Sequence, residues 1–287
     1  MPITDQLSVI TDEIDQDFEY VLDIAQQYGI KDVEVRKVWD KNIAVFDDDE
    51  LLKMKKALEE REMGISMVSG PFAKTVLPGS KYEKKSGESF DRNTMYNLSF
   101  FDRLVEIAHF LDTPNIRIFN FFTIGVELND ESWNLMIETL RPYVKKAEEE
   151  GIVLMVENEH VCFLDTLEHT TRFFQEMNSP AIKLNLDPGN YYSAKQPTDT
   201  GAYRPFYEND WVGYMHVKDP KFRLPFLGGK FTTVGQGKID YNSLFQQALE
   251  YDYNGYFSLE THVLLKKEQT SVKSLDYLKS LLEEIGR

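Results

Sequence analysis

Four side chains that are able to bind a divalent metal ion occur at comparable places in the sequence. Each ends or follows a short apolar run, and such runs are typical of strands buried in a parallel sheet. They are Glu157 in GIVLMVENEH, Asp187 in AIKLNLD, His216 in WVGYMHVKD and Glu260 in YFSLETH. The carboxyl ends of the strands of a closed parallel barrel meet at one face. We therefore expect these four residues, called the quartet below, to converge.

The chemistry of the quartet favours a metal ion over an empty cluster. Its three carboxylates carry a formal charge of about −3, and they would repel one another strongly without a cation. Oxygen ligands with one imidazole suit a single Mn²⁺, Mg²⁺, Co²⁺ or Zn²⁺ ion. Such an ion polarises a carbonyl and an adjacent hydroxyl of a sugar and acidifies the C–H bond between them.

Glu157 and Glu260 come from strands on opposite sides of the predicted barrel. Two carboxylates that face a bound ketose can remove and return a proton on either face. This arrangement predicts an isomerase or epimerase that acts on a small sugar or sugar derivative through an enediolate. A metal-dependent dehydratase or lyase on a keto-polyol would share the metal and one base. A barrel that binds a sugar without turnover, and a metal-free retaining glycosidase with Glu260 as nucleophile, are further alternatives.

Two basic residues follow predicted strands at the same face. Lys74 and Arg117 are able to bind a phosphate or the polar end of a sugar, as a point charge and as a planar fork respectively. The alternative is that they form salt bridges with Glu34 or Glu13 at the barrel mouth.

Eight apolar segments alternate with segments of helical periodicity. This alternation predicts parallel strands with right-handed crossovers, and eight units in 287 residues indicate an α/β fold, a (β/α)8 TIM barrel. No linker divides the chain, so residues 1–287 are expected to form a single domain. Residues 191–209 and the Gly-rich stretch 227–238 are predicted to be irregular, and residues 77–90 are predicted to form a mobile loop. A helix is predicted over residues 91–112 and another over residues 130–150.

Composition limits the function classes. The formal net charge is −16, which disfavours nucleic acid and anionic membranes as partners. No apolar run reaches the ~18 residues of a membrane span, and the N-terminal residues do not look like a signal peptide. The single cysteine fits a reducing compartment, so a cytoplasmic location is expected. The partner is predicted to be a small sugar. A homo-oligomer is compatible with the sequence, which leaves the oligomeric state open.

Seven short motifs along the whole chain carry a family resemblance. The motifs are SGPFAK (69–74), IRIFNFF (116–122), ENE (157–159), DPGN (187–190), HVKD (216–219), VGQGKID (234–240) and SLETH (258–262). Together they resemble the sugar phosphate isomerase/epimerase branch of the xylose isomerase-like barrel superfamily. The resemblance implies that the quartet holds a divalent metal, with Glu157 and Glu260 as the acid/base pair. It also implies that the substrate pocket is lined by Lys218, Asn190, Glu159 and His262.

The chain departs from this family pattern at two positions. Asn190 stands where epimerases of the superfamily often have a histidine, and Ser69 stands where many members carry one. These differences leave the substrate and the reaction open.

Overall fold

Parallel strands surround a buried interior and carry the quartet at one end. The computed structural model describes residues 1–80, 100–224 and 228–286, with the side chains of 223, 224, 228 and 229 left undescribed. The strands are β1 (Leu7–Val9), β2 (Asp32–Val35), β3 (Lys37–Val38), β4 (Lys41–Asn42), β5 (Gly64–Val68), β6 (Asn115–Ile118), β7 (Val153–Glu157), β8 (Ile182–Leu186), β9 (Val212–Val217), β10 (Asp219–Leu224), β11 (Gly228–Thr232) and β12 (Phe257–Leu259).

Eight of these strands form one parallel sheet in the order β1-β12-β9-β8-β7-β6-β5-β2. The two end strands approach each other through a parallel bridge between Ile10 and Glu34, so the sheet is nearly closed. The remaining strands form two antiparallel hairpins, β3 with β4 and β10 with β11. The predicted (β/α)8 barrel is therefore confirmed.

Helices alternate with the barrel strands. They are α1 (Phe18–Gln27), α2 (Asp48–Glu59), α3 (Phe101–Phe110), α4 (Asp130–Glu150), α5 (Leu167–Met177), α6 (Pro188–Ser193), α7 (Thr200–Glu208), α8 (Tyr241–Glu250) and α9 (Lys267–Ile285). The bounds of α4 match the predicted helix because its ends have strong local signals. Asn129 and Ser132 form a reciprocal capping box, and Gly151 ends the helix with a positive φ of 69°.

Two segments that are predicted to be irregular contain regular elements. The prediction is wrong for 191–209 and for 228–232, whereas residues 233–238 do form a loop. Residues 191–209 contain the second half of α6 and all of α7, whose inner face buries Tyr203 and Phe206. Both helices are short, and α7 contains Pro205, a residue that disfavours the interior of a helix. Residues 227–238 contain β11, which is held by pairing with β10. The glycines of β11 favour a loop when the segment is considered alone, because strand formation here depends on pairing with β10.

Part of the predictions for residues 77–112 lies outside the described residues. The mobile loop predicted for residues 77–90 falls largely within 81–99, and so does the first half of the helix predicted for residues 91–112. The second half of that helix is α3.

Among residues 1–80, 100–224 and 228–286, no helix combines the length and apolar character needed to span a bilayer.

The barrel interior below the quartet is polar. Ser8 and Ser66 lie 2.8 Å apart between hydroxyl oxygens, and Ser66 is 2.8 Å from the hydroxyl of Tyr214. All three residues are buried. TIM barrels usually fill this space with branched apolar side chains. In this barrel the hydroxyl groups of Ser8, Ser66 and Tyr214 hydrogen-bond to one another instead, at a level below Glu34 and His216.

Asp219 holds the loop beside the quartet. Its two carboxylate oxygens accept backbone N–H bonds from Gly235, Gly237, Lys238 and Ile239 at 2.8–3.1 Å, and the side chain is buried. A Cβ atom at residue 237 would lie 2.0 Å from Asp219 Oδ1, so the close approach requires glycine there. These hydrogen bonds show that Asp219 anchors the turn.

We expect Asp219→Asn to lower the free energy of unfolding by about 3 kcal/mol. The amide keeps the size of the side chain but removes acceptors for backbone N–H groups, and hydrogen bonds to charged groups contribute ~1.5–3 kcal/mol each. Urea denaturation measures the change. The control is Asp210→Asn, whose side chain is 92% exposed beside Lys183 and should cost less than ~1 kcal/mol. Equal losses in the two variants would contradict this role of Asp219.

Candidate metal centre

The structure brings the four residues of the quartet together. Glu157 ends β7, Asp187 directly follows β8, His216 is the penultimate residue of β9 and Glu260 directly follows β12. One ligand atom from each lies within 4.8 Å of every other, and all four residues are buried. Their positions at the carboxyl ends of neighbouring parallel strands explain why residues so distant in sequence meet.

Glu34 orients the imidazole of His216. Both oxygens of Glu34 lie 3.1 Å from His216 Nε2, and the ring and the carboxylate are fully buried. Glu34 itself accepts hydrogen bonds from Ser69 and Ser258 at 2.5 and 2.7 Å. A carboxylate that accepts the Nε2 proton leaves Nδ1 free, and this is how metal-binding histidines are commonly held.

His216 Nδ1 faces the three carboxylates of the quartet. It is 3.7 Å from Glu157 Oε2, 3.6 Å from Glu260 Oε2 and 3.9 Å from Asp187 Oδ2. The sequence did not identify Glu34 as the partner of His216. Its signal was weak, because an acidic residue in β2 gives no hint of which strand across the barrel it faces.

Three asparagines hold the acidic residues from behind. The Asn120 amide donates to the backbone oxygen of Glu157 at 3.0 Å. The Asn158 side chain accepts from the backbone N–H of Asp187 at 2.7 Å and donates to its backbone oxygen at 2.9 Å. Asn190 donates to Glu157 Oε1 at 3.0 Å. These bonds fix the backbones and one carboxylate oxygen, so the ligand atoms are positioned before an ion arrives.

Basic side chains also contact the quartet. Lys218 Nζ lies 2.7 Å from Asp187 Oδ2 and 2.8 Å from Glu260 Oε2, Arg36 Nη1 lies 2.7 Å from Glu260 Oε1, and Arg117 Nη1 lies 3.5 Å from Glu157 Oε2. The ammonium of Lys218 therefore takes up part of the charge of two ligands. The contact between Lys218 and Asp187 is an ion pair without hydrogen-bond geometry, because Asp187 Oδ2 has no hydrogen-bond partner.

Burial and these cations set the protonation states. Burial raises the pKa of Asp187, with further increases from Glu157 and Glu260, to about 6 although Lys218 opposes it. Burial would also raise the pKa of Glu260, but Lys218, His262, His216 and Arg36 together outweigh burial and hold that pKa well below its usual value. The same neighbours keep Lys218 charged: burial lowers its pKa, and Asp187 and Glu260 raise it further than burial lowers it.

The neighbouring carboxylates favour the protonated form of His216 when no ion is bound. Burial alone would lower its pKa, but the carboxylates of Glu34 and Glu157 outweigh burial and raise the pKa to about 10. Burial would raise the pKa of Glu157, and His216 lowers it more. The positive ring thus stands where three acidic residues would otherwise repel one another.

The donor set fits a divalent ion. Glu157 Oε2 and Asp187 Oδ2 are buried atoms without hydrogen-bond partners, and both face His216 Nδ1. Two atoms that each lie ~2.1 Å from one ion are at most ~4.2 Å apart, so the spacing of the quartet needs only a small contraction. Three carboxylate oxygens and one imidazole nitrogen suit the hard or borderline divalent ions named above.

The predicted pocket residues take different positions. Lys74 Nζ is 3.3 Å from Glu159 and 4.2 Å from the ring centre of Phe119, while Arg117 approaches the same ring at 4.9 Å. Lys74 and Arg117 thus form ion pairs with Glu159 and Glu157, as the salt-bridge alternative expects, but with other partners than the expected Glu34 or Glu13. Arg117 also helps to lower the pKa of Glu34, although His216 contributes more. Burial would raise the pKa of Glu159, but Lys74, His160 and Lys218 together outweigh burial and lower that pKa far below its usual value.

Asn190 and Lys218 are buried against the quartet, whereas His262 lies at its edge. The side chain of His262 is 59% exposed, and its Nδ1 is 4.0 Å from Glu260 Oε1. Its ring packs edge-to-face on Phe231 of β11 at 5.4 Å. Phe231 also lies 5.5 Å from Lys218 Nζ, so the β10–β11 hairpin forms one wall of the mouth. The sequence missed this wall because it read β11 as a loop.

A sequence profile described as xylose isomerase-like TIM barrel matches residues 22–281. The chain belongs to this family. The resemblance seen in the motifs is thereby confirmed at the level of the family.

Curated relatives of this xylose isomerase-like barrel include inosose dehydratases. The protein of that name from Halalkalibacterium halodurans is 24% identical over 154 residues, which are 49% of this chain and 50% of the relative. The chain therefore spans about half the length of the first relatives that it matches. The inosose dehydratase of Clostridium botulinum is 21% identical over 285 residues, with 91% of this chain and 89% of the relative covered.

Solved structures share the fold of this family member. A zinc-bound IolI protein superimposes with a TM-score of 0.77 at 16% identity, covering 97% of this chain and 98% of the other. A probable 3-DHS dehydratase, AsbF of Bacillus anthracis, gives 0.73 at 16% identity, covering 95% and 98%. An L-ribulose 3-epimerase gives 0.71 at 16% identity, covering 97% and 95%. At these identities the likeness concerns the fold alone.

We expect metal binding near pH 7.5 to release about one proton per ion. His216 must be neutral to bind a metal, and with a pKa of about 10 in the metal-free protein it enters the reaction protonated. The apparent affinity for Mn²⁺ should therefore rise about tenfold per pH unit between pH 7 and 9. Calorimetric titration with Mn²⁺ in buffers of different ionisation enthalpy measures the proton count.

The control is His169→Asn, because His169 also has a raised pKa, caused by its hydrogen bond to Asp165, but lies outside the quartet. This variant should release the same number of protons as the original protein. Binding of Mn²⁺ without proton release would contradict the protonated state of His216.

Proposed function

We propose that the protein is a divalent-metal-dependent dehydratase that acts on a keto-polyol of the inosose type. Relatives named inosose dehydratase support the reaction class, and one of them aligns along 91% of this chain. This reading places the lyase alternative ahead of the isomerase or epimerase expected first from the sequence. The quartet would hold the metal ion.

The observation that carries the proposal is the unequal environment of the two glutamates. Both oxygens of Glu260 are bound by cations, Oε1 by Arg36 and Oε2 by Lys218. Glu157 receives one neutral hydrogen bond at Oε1 from Asn190, and its Oε2 has no hydrogen-bond partner. Each carboxylate oxygen has two lone pairs. Glu157 Oε2 therefore retains lone pairs for an ion and a proton. Lys218 and Arg36 help to hold the pKa of Glu260 well below its usual value, so Glu260 is the weaker base and is better suited to be a ligand.

A bound divalent ion would polarise the substrate carbonyl and acidify the neighbouring C–H bond. Glu157 then takes the proton from this carbon, and the protonated carboxyl group passes it to the hydroxyl on the next carbon. That hydroxyl leaves as water while a C=C bond forms, so one carboxyl group serves as base and then as acid. Lys218 remains an ammonium throughout and stabilises negative charge that develops on a substrate oxygen.

The runner-up is an isomerase or epimerase. In the strand order, β7 and β12 lie three positions apart around the eight-stranded barrel, so Glu157 and Glu260 approach the site from different sides. Two such carboxylates suit proton transfer on two faces of a sugar. Against this reaction, Arg36 and Lys218 keep Glu260 ionised, and an epimerase needs one of the pair as a proton donor.

We expect the Mn²⁺-loaded protein to convert a polyhydroxylated cyclohexanone into a product that is lighter by one water. Mass spectrometry and proton NMR in D₂O follow the reaction. Removal of the ion with EDTA should abolish turnover, and added Mn²⁺ should restore it, with circular dichroism unchanged. A product of the same mass as the substrate would favour the epimerase. Undiminished turnover in EDTA would contradict the metal requirement.

We expect Glu157→Gln to lower kcat by ~10²–10⁴-fold, the range for loss of a general base. The amide keeps the shape and the bond partner Asn190 but cannot accept the proton. Steady-state kinetics with saturating Mn²⁺, together with the metal content of each variant, separate the chemical role from loss of the ion. Glu127→Gln, an exposed residue, is the control and should keep the original kcat. Wild-type rates in a metal-loaded Glu157→Gln variant would exclude Glu157 as the base.

A further inference from the structure

The guanidinium of Arg36 joins three buried carboxylates from two parts of the chain, the turn after β1 and the end of β12. Its Nη1 is 2.7 Å from Glu260 Oε1, and its Nη2 is 2.7 Å from Glu13 Oε1. Nε and Nη2 lie 3.0 and 2.9 Å from the two oxygens of Asp12. All the nitrogens of the fork are thus used, and only one of its three partners belongs to the quartet.

Glu13 extends this network to the backbone after β12. Its second oxygen, Oε2, accepts from the Thr261 hydroxyl at 2.7 Å and from the His262 backbone N–H at 3.0 Å. His262 has a positive φ of 52°, a conformation that non-glycine residues rarely adopt. The residues next to Glu260 are therefore held in an uncommon backbone conformation by a carboxylate that is 1% exposed.

These contacts lie where the barrel closes. Asp12 and Glu13 belong to a 3₁₀ turn, Thr11–Glu13, that follows β1, and Arg36 directly follows β2. The Ile10–Glu34 bridge is the closing contact of the sheet. A buried charged network is a poor source of stability, since the desolvation of each ion costs several kcal/mol. Its better-attested effect is to specify one geometry.

We propose that Arg36 and Glu13 form a positioning unit for Glu260 and for the backbone of Thr261 and His262. Arg36 holds the carboxylate of Glu260 toward the quartet, and Glu13 holds both Arg36 and the chain after β12. Neither residue belongs to the quartet. This inference rests on the proposed function, because the metal centre is what the unit positions.

The test compares Arg36→Met, Arg36→Lys and a matched control. Lys267→Met is the control, because Lys267 Nζ lies 3.8 Å from both Asp12 and Glu13 without a contact to Glu260. It removes a positive charge from the same two carboxylates and leaves the link to Glu260 intact. Two quantities are measured for each purified variant: the Kd for Mn²⁺ by calorimetry, and kcat and KM with the Mn²⁺-saturated protein.

Arg36→Met should raise the Kd for Mn²⁺ by ~10–100-fold, which is the usual effect of removing a partner that orients a metal ligand. With saturating Mn²⁺ its kcat should fall at least ~10-fold while KM changes less than ~3-fold, as expected when an interaction needed in the transition state is lost. Arg36→Lys keeps a charge that can reach one carboxylate, so it should recover part of the Mn²⁺ affinity. Lys267→Met should stay within ~2-fold of the original protein.

Equal Mn²⁺ affinities in Arg36→Met and Lys267→Met would overturn the positioning unit and leave only a structural salt bridge. The same holds if Arg36→Met is unfolded and Arg36→Lys binds Mn²⁺ as the original protein does. The Mn²⁺ readout does not depend on turnover. If the original protein binds Mn²⁺ but leaves every keto-polyol unchanged, the proposed reaction fails while the comparison of affinities still decides the role of Arg36.

Discussion

The buried negative charge at the carboxyl ends of the strands is the constraint on which the rest of the structure depends. Taking a carboxylate out of water costs several kcal/mol, so each must be paired with a cation or hydrogen-bonded. Four carboxylates meet here, and four positive groups contact them in the metal-free protein. The acids are Glu34, Glu157, Asp187 and Glu260, and the cations are protonated His216, Lys218, Arg117 and Arg36. A divalent ion that bound here would have to replace some of these contacts, beginning with the proton of His216.

The architecture around this charge divides into a rigid side and an adjustable side. Asn158 and Asn190 bind backbone and carboxylate atoms of the quartet by neutral hydrogen bonds, and Glu34 binds His216 from below. These contacts need not change when an ion binds. Lys218 lies against two ligand oxygens and is the cation that must yield or share them. In the proposed reaction, this position would link metal binding to the stabilisation of substrate charge, because one ammonium would serve both.

Local signals decided which elements could be predicted. Helix α4 was predicted with the correct bounds because Asn129, Ser132 and Gly151 act within one turn of its ends. Helices α6 and α7 were not predicted, because both are short and α7 contains Pro205. These two features disfavour a helix more than the apolar residues on the buried face favour one. Strand β11 was not predicted, because it is stabilised by pairing with β10 and its own sequence favours a loop. Glu34 could be placed on the inner face of β2 by alternation, but its partner lies 182 positions away along the chain.

The sequence by itself determined the kinds of ligand and their places at strand ends, because side-chain chemistry and the hydrophobic pattern are properties of short segments. It also determined that eight such segments form a barrel, and the family match agrees. Only the tertiary structure decided how charge is shared. Arg36 binds Glu260, Lys218 bridges Asp187 and Glu260, and Glu157 Oε2 lies near Arg117 without a hydrogen bond. Those choices depend on distances of a few ångström between strands far apart in the chain, and a linear pattern contains no such distances.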